Sequence, residues 1–153
     1  MKPIISEADI NDLEDVAFLF NQYRIFYSMT SNLAKCEKFI TKRLSNKDSI
    51  IYLAAIENKP AGFIQIYPSF SSVAMQPIWV LNDLFVSKEY RKLGCAKSLM
   101  QKVKNEALKR RIFSVKLSTT NGNHPAKKLY HSIGYTKITQ FDNYSLTPRK
   151  QFA

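Results

Sequence analysis

The chain has 153 residues, 45% of them hydrophobic and 23% charged, which suits one folded, soluble domain with a real core and excludes a disordered polyelectrolyte. Two cysteines, Cys36 and Cys95, with no C-x-x-C pair and no metal-ligand spacing, exclude a disulfide framework and a zinc site and point to a reducing, cytoplasmic setting. The net charge of +11 calls for an anionic partner.

In chain order, the start MKPIISEADIND lacks a basic stretch followed by an apolar block, and no apolar run approaches about 18 residues, so neither export signal nor membrane span is expected. Lys2 to Ser6 reads as a short strand. Ile10, Leu13, Val16, Ala17, Phe20 and Tyr23 recur at helical spacing behind Asp9 and Asp12, and Leu33, Cys36, Ile40 and Leu44 predict a second helix. Strands follow at Ile50 to Ile56 and, past a turn at ENKP, at Ala61 to Tyr67. The nearly all-apolar run Ile78 to Val86 predicts a central strand feeding a helix from Gly94 to Lys109. Phe113, Val115 and Leu117 alternate with Ser114, Lys116 and Ser118 as another strand, and a short helix runs from Pro125 to Ile133, stopped by Gly134. Tyr135 to Leu146 has room for two last strands. The order βααβββαβαββ predicts a single α/β domain over residues 1–153, with helices flanking a mixed, mostly antiparallel sheet.

The charge is not spread evenly. Residues 1–87 carry eight Lys and Arg against nine Asp and Glu; residues 88–153 carry fifteen against three. The positive field centres on the turn YRKLGCAK, where Arg91, Lys92 and Lys97 surround Gly94 and Ala96 at the mouth of a helix. Unpartnered N–H groups and a positive dipole end there make an anion cradle, and the small residues admit a bulky phosphate. Neither G-x-x-x-x-G-K-[ST] nor G-x-G-x-x-G is present. A solvated basic helix with a glycine turn is the plain alternative.

Order and spacing favour the cradle. The stretch R-K-L-G-C-A resembles the [QR]-x-x-G-x-[GA] pyrophosphate loop of the GNAT superfamily of acetyl-CoA-dependent N-acetyltransferases. LNDLFV, Leu81 to Val86, resembles that family's central strand, and NHPAKKLYHSIGY, Asn123 to Tyr135, its N-x-x-A-x-x-L-Y-x-x-x-G-[FY] helix. The predicted element order is also the family's. N-D-L-F-V followed by N-H-P-A is most similar to the branch holding polyamine, D-amino-acid and histone acetyltransferases.

The resemblance implies acetyl-CoA as cosubstrate and no metal. The implied contacts are Leu84, Phe85 and Val86 along the pantetheine arm, residues Arg91, Lys92, Leu93, Gly94, Cys95, Ala96 and Lys97 at the pyrophosphate, and Asn123 and Ala126 on the short helix. Tyr130 matches the family's general acid. An attacking alkylamine, with a pKa near about 10.4, is almost wholly protonated at pH 7, so a base is needed. Asp83 is the only acid between Lys59 and Lys88, and it serves directly, through water, or only as a hydrogen-bond acceptor at a strand bulge. Strict alternation puts Asp83 on one face with Leu81 and Phe85, and Asn82 on the other with Val80 and Leu84.

Tyr27, Tyr67 and Asn82 are the candidate acceptor contacts, within the aromatic and hydroxyl-rich stretches YRIFYSMTSN and YPSFSS and the central strand. The acidic start, Glu7, Asp9, Asp12, Glu14 and Asp15, favours a small-molecule or peptidyl primary amine over a phosphorylated amino sugar, and serves equally to begin a helix. Cys95 stands at the free position of its loop with no histidine to serve it, so a catalytic thiol is disfavoured. The competing readings are a domain that holds CoA without turnover and a basic nucleic-acid-binding domain. The latter is disfavoured because the basic helix lacks interleaved aromatics. Acceptor identity and oligomeric state stay open, a homodimer included.

Overall fold

The computed structural model describes residues 1–149. Strand β1 (Ile4–Glu7) leads through a 3-10 turn (Ile10–Asp12) into α1 (Leu13–Phe26) and α2 (Leu33–Asn46). Then come β2 (Ile50–Ile56), β3 (Lys59–Ser71), β4 (Gln76–Val86), α3 (Cys95–Lys109), β5 (Val115–Leu117) and α4 (His124–Ile133). The first four strands pair antiparallel in the order β1-β2-β3-β4, and β5 joins β4 parallel. This is the mixed, mostly antiparallel sheet expected.

Local chemistry sets the boundaries. Asp9 and Asp12 form a reciprocal capping box, which breaks the helix expected from Ile10 into a 3-10 turn followed by α1. The Asn32 side chain caps α2 and Asn123 caps α4, which carries Pro125 in its first turn and ends at Gly134, φ +114°. Two apolar layers enclose the sheet. Val16 and Leu19 of α1 and Ile40 of α2 pack on Ile51, Leu53, Phe63 and Phe85. Leu99, Met100 and Val103 of α3 and Ile133 of α4 pack on Tyr52, Ile64, Ile66, Trp79 and Leu81 on the opposite face.

One expectation falls. No strand forms from Tyr135 to Leu146; the segment is irregular and exposed, with Ile138 at 52% and Tyr144 at 93%. Ile138, Phe141 and Tyr144 are three residues apart, so a strand of period two cannot bury all of them on one face. Among the described residues no helix is long and apolar enough to cross a membrane.

Candidate functional site

Strands β4 and β5 pair only as far as Leu81 and Leu117, and there the partners part. The cause is a bulge: Gln65 faces Asp83 and Ile66 faces Leu81, which leaves Asn82 as the extra residue. The bulge also overturns strict alternation. Trp79 and Leu81 pack toward α3, but beyond Asn82 it is Leu84 and Val86 that do so, while Phe85 turns to α1 and α2. Asp83 therefore does not share a face with Leu81; it lies on the α1 side with Gln65, Tyr23 and Phe85.

A cleft of about 290 Å³ opens along the freed end of β4, lined by Leu84, Phe85 and Val86, by Arg91 and Ala96, by Asn123 and Ala126, and by Tyr23, Phe26 and Tyr27. Three helix ends meet around it. α3 and α4 present their N-termini, with positive dipole ends, and α1 presents its C-terminus, with the negative end. A smaller cavity of about 130 Å³ sits at the fork itself, lined by Val80, Leu81, Asn82, Lys116, Leu117 and Ser118.

The cradle at α3 follows from two left-handed residues, Lys92 at φ +64° and Gly94 at φ +86°. Gly94 is the N-cap and supplies no side-chain cap, so the first N–H groups of α3 stay available. A Cβ built at Gly94 would meet nothing within 4 Å, which means open space in front of the turn, as close approach of a diphosphate requires. Arg91 Nε donates to the Val86 carbonyl at 3.0 Å, and its guanidinium lies 5.5 Å from the Phe26 ring centre. Lys92, Leu93, Gly94, Cys95 and Lys97 belong to the turn but do not line the cleft. Cys95 is buried in the core under α3, and burial pushes its thiol up.

On the opposite wall, Asn21 clamps the turn after α1, accepting from the Asn32 backbone at 3.0 Å and donating to Ser31 Oγ at 3.1 Å. Tyr27, at the C-terminal cap of α1, meets the Tyr23 ring edge-on at 5.1 Å. Behind Tyr23 lies Asp83, only 5% exposed and absent from both cavity linings. Gln65 Nε2 donates to its Oδ2 at 2.7 Å and Asn82 Nδ2 to its Oδ1 at 3.1 Å. For Tyr23, burial first and then the nearby Asp83 charge hold the hydroxyl proton on far above the usual tyrosine range. Tyr67 feels the same carboxylate, and burial raises it too. The hydrogen-bond acceptor role at a bulge is thus realised, whatever further part Asp83 plays.

Tyr130 packs on the α3 layer and against Tyr135, with ring centres 6.1 Å apart. Burial raises its hydroxyl pKa, the neighbouring Tyr27 raises it further, and a hydrogen bond with Thr119 opposes them. Asn123 both caps α4, its Oδ1 accepting from the Ala126 backbone at 3.4 Å, and lines the cleft.

The acids of the first fifteen residues are not at the mouth. Asp9, Asp12, Glu14 and Asp15 gather at the N-terminal end of α1, and 14 residues at about 1.5 Å each set them roughly 20 Å from the cleft end, while Glu7 at the end of β1 pairs with Arg110 at 3.3 Å. Negative potential at the cleft comes instead from the α1 C-terminus and Asp83. Sequence reading missed Tyr23 as a site residue; its spacing from Phe26 and Tyr27 was the available signal. Among the described residues no group of three or more His, Cys, Asp or Glu stands together to hold a metal ion.

Residues 12–135 match the sequence model of the acetyltransferase (GNAT) family. The uncharacterized N-acetyltransferase YhfO of Bacillus subtilis (strain 168) is 39% identical over 142 residues, spanning 93% of this chain and 95% of that protein. A thialysine N-epsilon-acetyltransferase of Caenorhabditis elegans is 23% identical over 131 residues, 86% of this chain and 81% of that one. The solved structure of a probable acetyltransferase superposes with a TM-score of 0.91 at 38% identity, covering 97% of this chain and 99% of that chain. A family match over most of its length and relatives matched nearly end to end show that the chain belongs to the GNAT acetyltransferase family and is an N-acetyltransferase.

Proposed function

We propose that the chain transfers the acetyl group of acetyl-CoA to a primary amine by direct attack in a ternary complex. The observation that carries this reading is the cleft itself, where two helix N-termini and the freed end of β4 face a wall of tyrosines. When bound, acetyl-CoA supplies the thioester that the amine attacks. The open turn at Gly94, the first N–H groups of α3 and the charges of Arg91, Lys92 and Lys97 suit its diphosphate. Leu84, Phe85 and Val86 offer a backbone edge that β5 no longer covers, and Asn123 and Ala126 border it from α4. Burial of the Cys95 thiol leaves no sulfur nucleophile in the cleft, which favours direct attack over an acyl-enzyme.

Tyr130, kept protonated by its burial, supplies the proton that the departing sulfur needs. Asp83 takes the proton of the amine, and Tyr27, Tyr67 and Asn82 border the acceptor. The α1 C-terminus and the Asp83 carboxylate favour a cationic amine such as a polyamine, an amino acid or a lysine side chain. The thialysine enzyme among the relatives supports that class. The test is thiol release from acetyl-CoA with cationic amines and phosphorylated amino sugars at equal concentration. Higher kcat/KM for the phosphorylated acceptor would sink the cationic reading alone; CoA binding without thiol release from any amine would leave a binding module.

A further inference from the structure

The cavity at the fork between β4 and β5 contains a cation that acetyl transfer, as described, does not use. The cavity holds about 130 Å³, and its polar lining is Asn82 of β4 with Lys116 and Ser118 from β5 and the residue beyond it. All three side chains can donate hydrogen bonds, and none is acidic. Register fixes the side from which Lys116 is reached. Val115 and Leu117 pack toward α3, as do Trp79 and Leu81, the residues they pair with on β4. Alternation therefore turns Lys116 and its partner Val80 to the α1 face, together with Tyr67, which pairs with Val80 from the other side. Asp83 lies on that same face. Among the described residues Lys116 forms no salt bridge. Asn82 gives one amide proton to Asp83 Oδ1 at 3.1 Å and has a second to give.

We propose that the fork cavity seats a carboxylate of the acceptor on Lys116, Asn82 and Ser118, so that the acceptor is a free amino acid rather than a polyamine or a peptidyl lysine. The proposal rests on the acetyl-transfer reading above and narrows it. One face of the sheet then offers both charges that an amino acid needs, negative potential from Asp83 for its ammonium and the Lys116 ammonium for its carboxylate. The row of Lys116, Val80 and Tyr67 is two ladder steps from the row of Asp83 and Gln65. At about 3.3 Å per step this is roughly 7 Å along the sheet, a span that one amino acid bridges. A polyamine would bring a second ammonium against Lys116, and like charges at contact repel. A peptidyl lysine has no carboxylate to offer and would leave the cation unpaired. The remaining walls, Val80, Leu81 and Leu117, are apolar, which strengthens an ion pair formed between them.

The experiment follows thiol release from acetyl-CoA with free lysine, with lysinamide, whose carboxylate is blocked, and with cadaverine, which is lysine without its carboxylate. The wild-type chain is compared with Lys116→Gln, which removes the charge, and Lys116→Glu, which reverses it. Lys116 is exposed, so both variants should fold. Wild-type kcat/KM is expected to be about tenfold higher for lysine than for either carboxylate-free amine. In Lys116→Gln the KM for lysine should rise by about tenfold with kcat held, which erases the preference, and Lys116→Glu should turn it toward cadaverine. CoA affinity, read by calorimetry, should be the same in all three proteins. Turnover of lysinamide, cadaverine or another carboxylate-free amine as fast as lysine, a preference for lysine that survives in Lys116→Gln, or CoA affinity lost along with the charge would each overturn the carboxylate seat while wild-type turnover preserves the acetyl-transfer reading. A folded wild-type chain that acetylates no amine would sink both.

Discussion

Gln65 Nε2 and Asp83 Oδ2 lie 2.7 Å apart across the β3–β4 pair, the amide wholly buried and the carboxylate 5% exposed. Among the described residues no basic side chain forms a salt bridge with Asp83, so neutral donors carry its solvation. A buried carboxylate so held is sensitive to each donor, because a lost hydrogen bond to a charged group is not replaced by water.

Gln65→Leu is therefore expected to destabilise the fold by about 2 kcal/mol, the cost of removing one donor from a buried charge. Chemical denaturation at neutral pH measures this. Wild-type stability in that variant would mean that Asp83 finds another partner and that the pair is not a fixed unit.

Gly94→Val tests the cradle. The backbone there has φ +86°, strained for a β-branched residue, and the added side chain would enter space that is now open. CoA affinity should fall by about tenfold or more in calorimetry, with a stability loss of about 1 to 2 kcal/mol. Because the contacts are charged, rising salt should weaken wild-type binding as well. Undiminished CoA affinity in the folded variant would place the diphosphate elsewhere.

Tyr130→Phe keeps the ring and deletes only the donor, so kcat should drop by about 10² to 10⁴ with CoA affinity nearly constant. The pH profile carries a sign. A general acid must be protonated, and the Tyr130 hydroxyl titrates above its ordinary value of 10.0, so its loss of activity lies on the alkaline side of that value. A wild-type profile whose alkaline limb already falls near neutrality would point to another donor.

Tyr52 offers a contrast outside the cleft. Its hydroxyl is buried with no hydrogen-bond partner among the described residues, and burial, the main cause, takes its pKa from 10.0 to about 12. Between those values the unfolded chain releases the proton and the folded one retains it, so stability is fully present below pH 10 and is lost as pH rises toward 12. Tyr52→Phe should be neutral or slightly stabilising at pH 7 and should reduce the alkaline loss, as read by unfolding midpoints across pH 8 to about 12. A marked loss of stability at pH 7 would reveal a partner for the hydroxyl.

The sequence by itself determined the features that depend on a few neighbouring residues. Asn123, Pro125 and Gly134 bound α4 because capping, a fixed φ and a left-handed stop are local requirements. Gly94 and its basic neighbours specified an anion cradle for the same reason, and the three motifs around them carried the family. Tertiary structure decided the rest. The bulge at Asn82 comes from how β4 registers against β3, and alternation within β4 contains no sign of it. It reverses which residues face α1, so it brought Asp83 to Tyr23, sixty positions earlier in the chain. The same holds for charge: Asp9, Asp12, Glu14 and Asp15 can be counted in sequence, but only the direction of α1 puts them at the end away from the cleft. Local propensity is written in adjacent residues, whereas the meeting of distant side chains depends on pairing and packing that no single segment encodes.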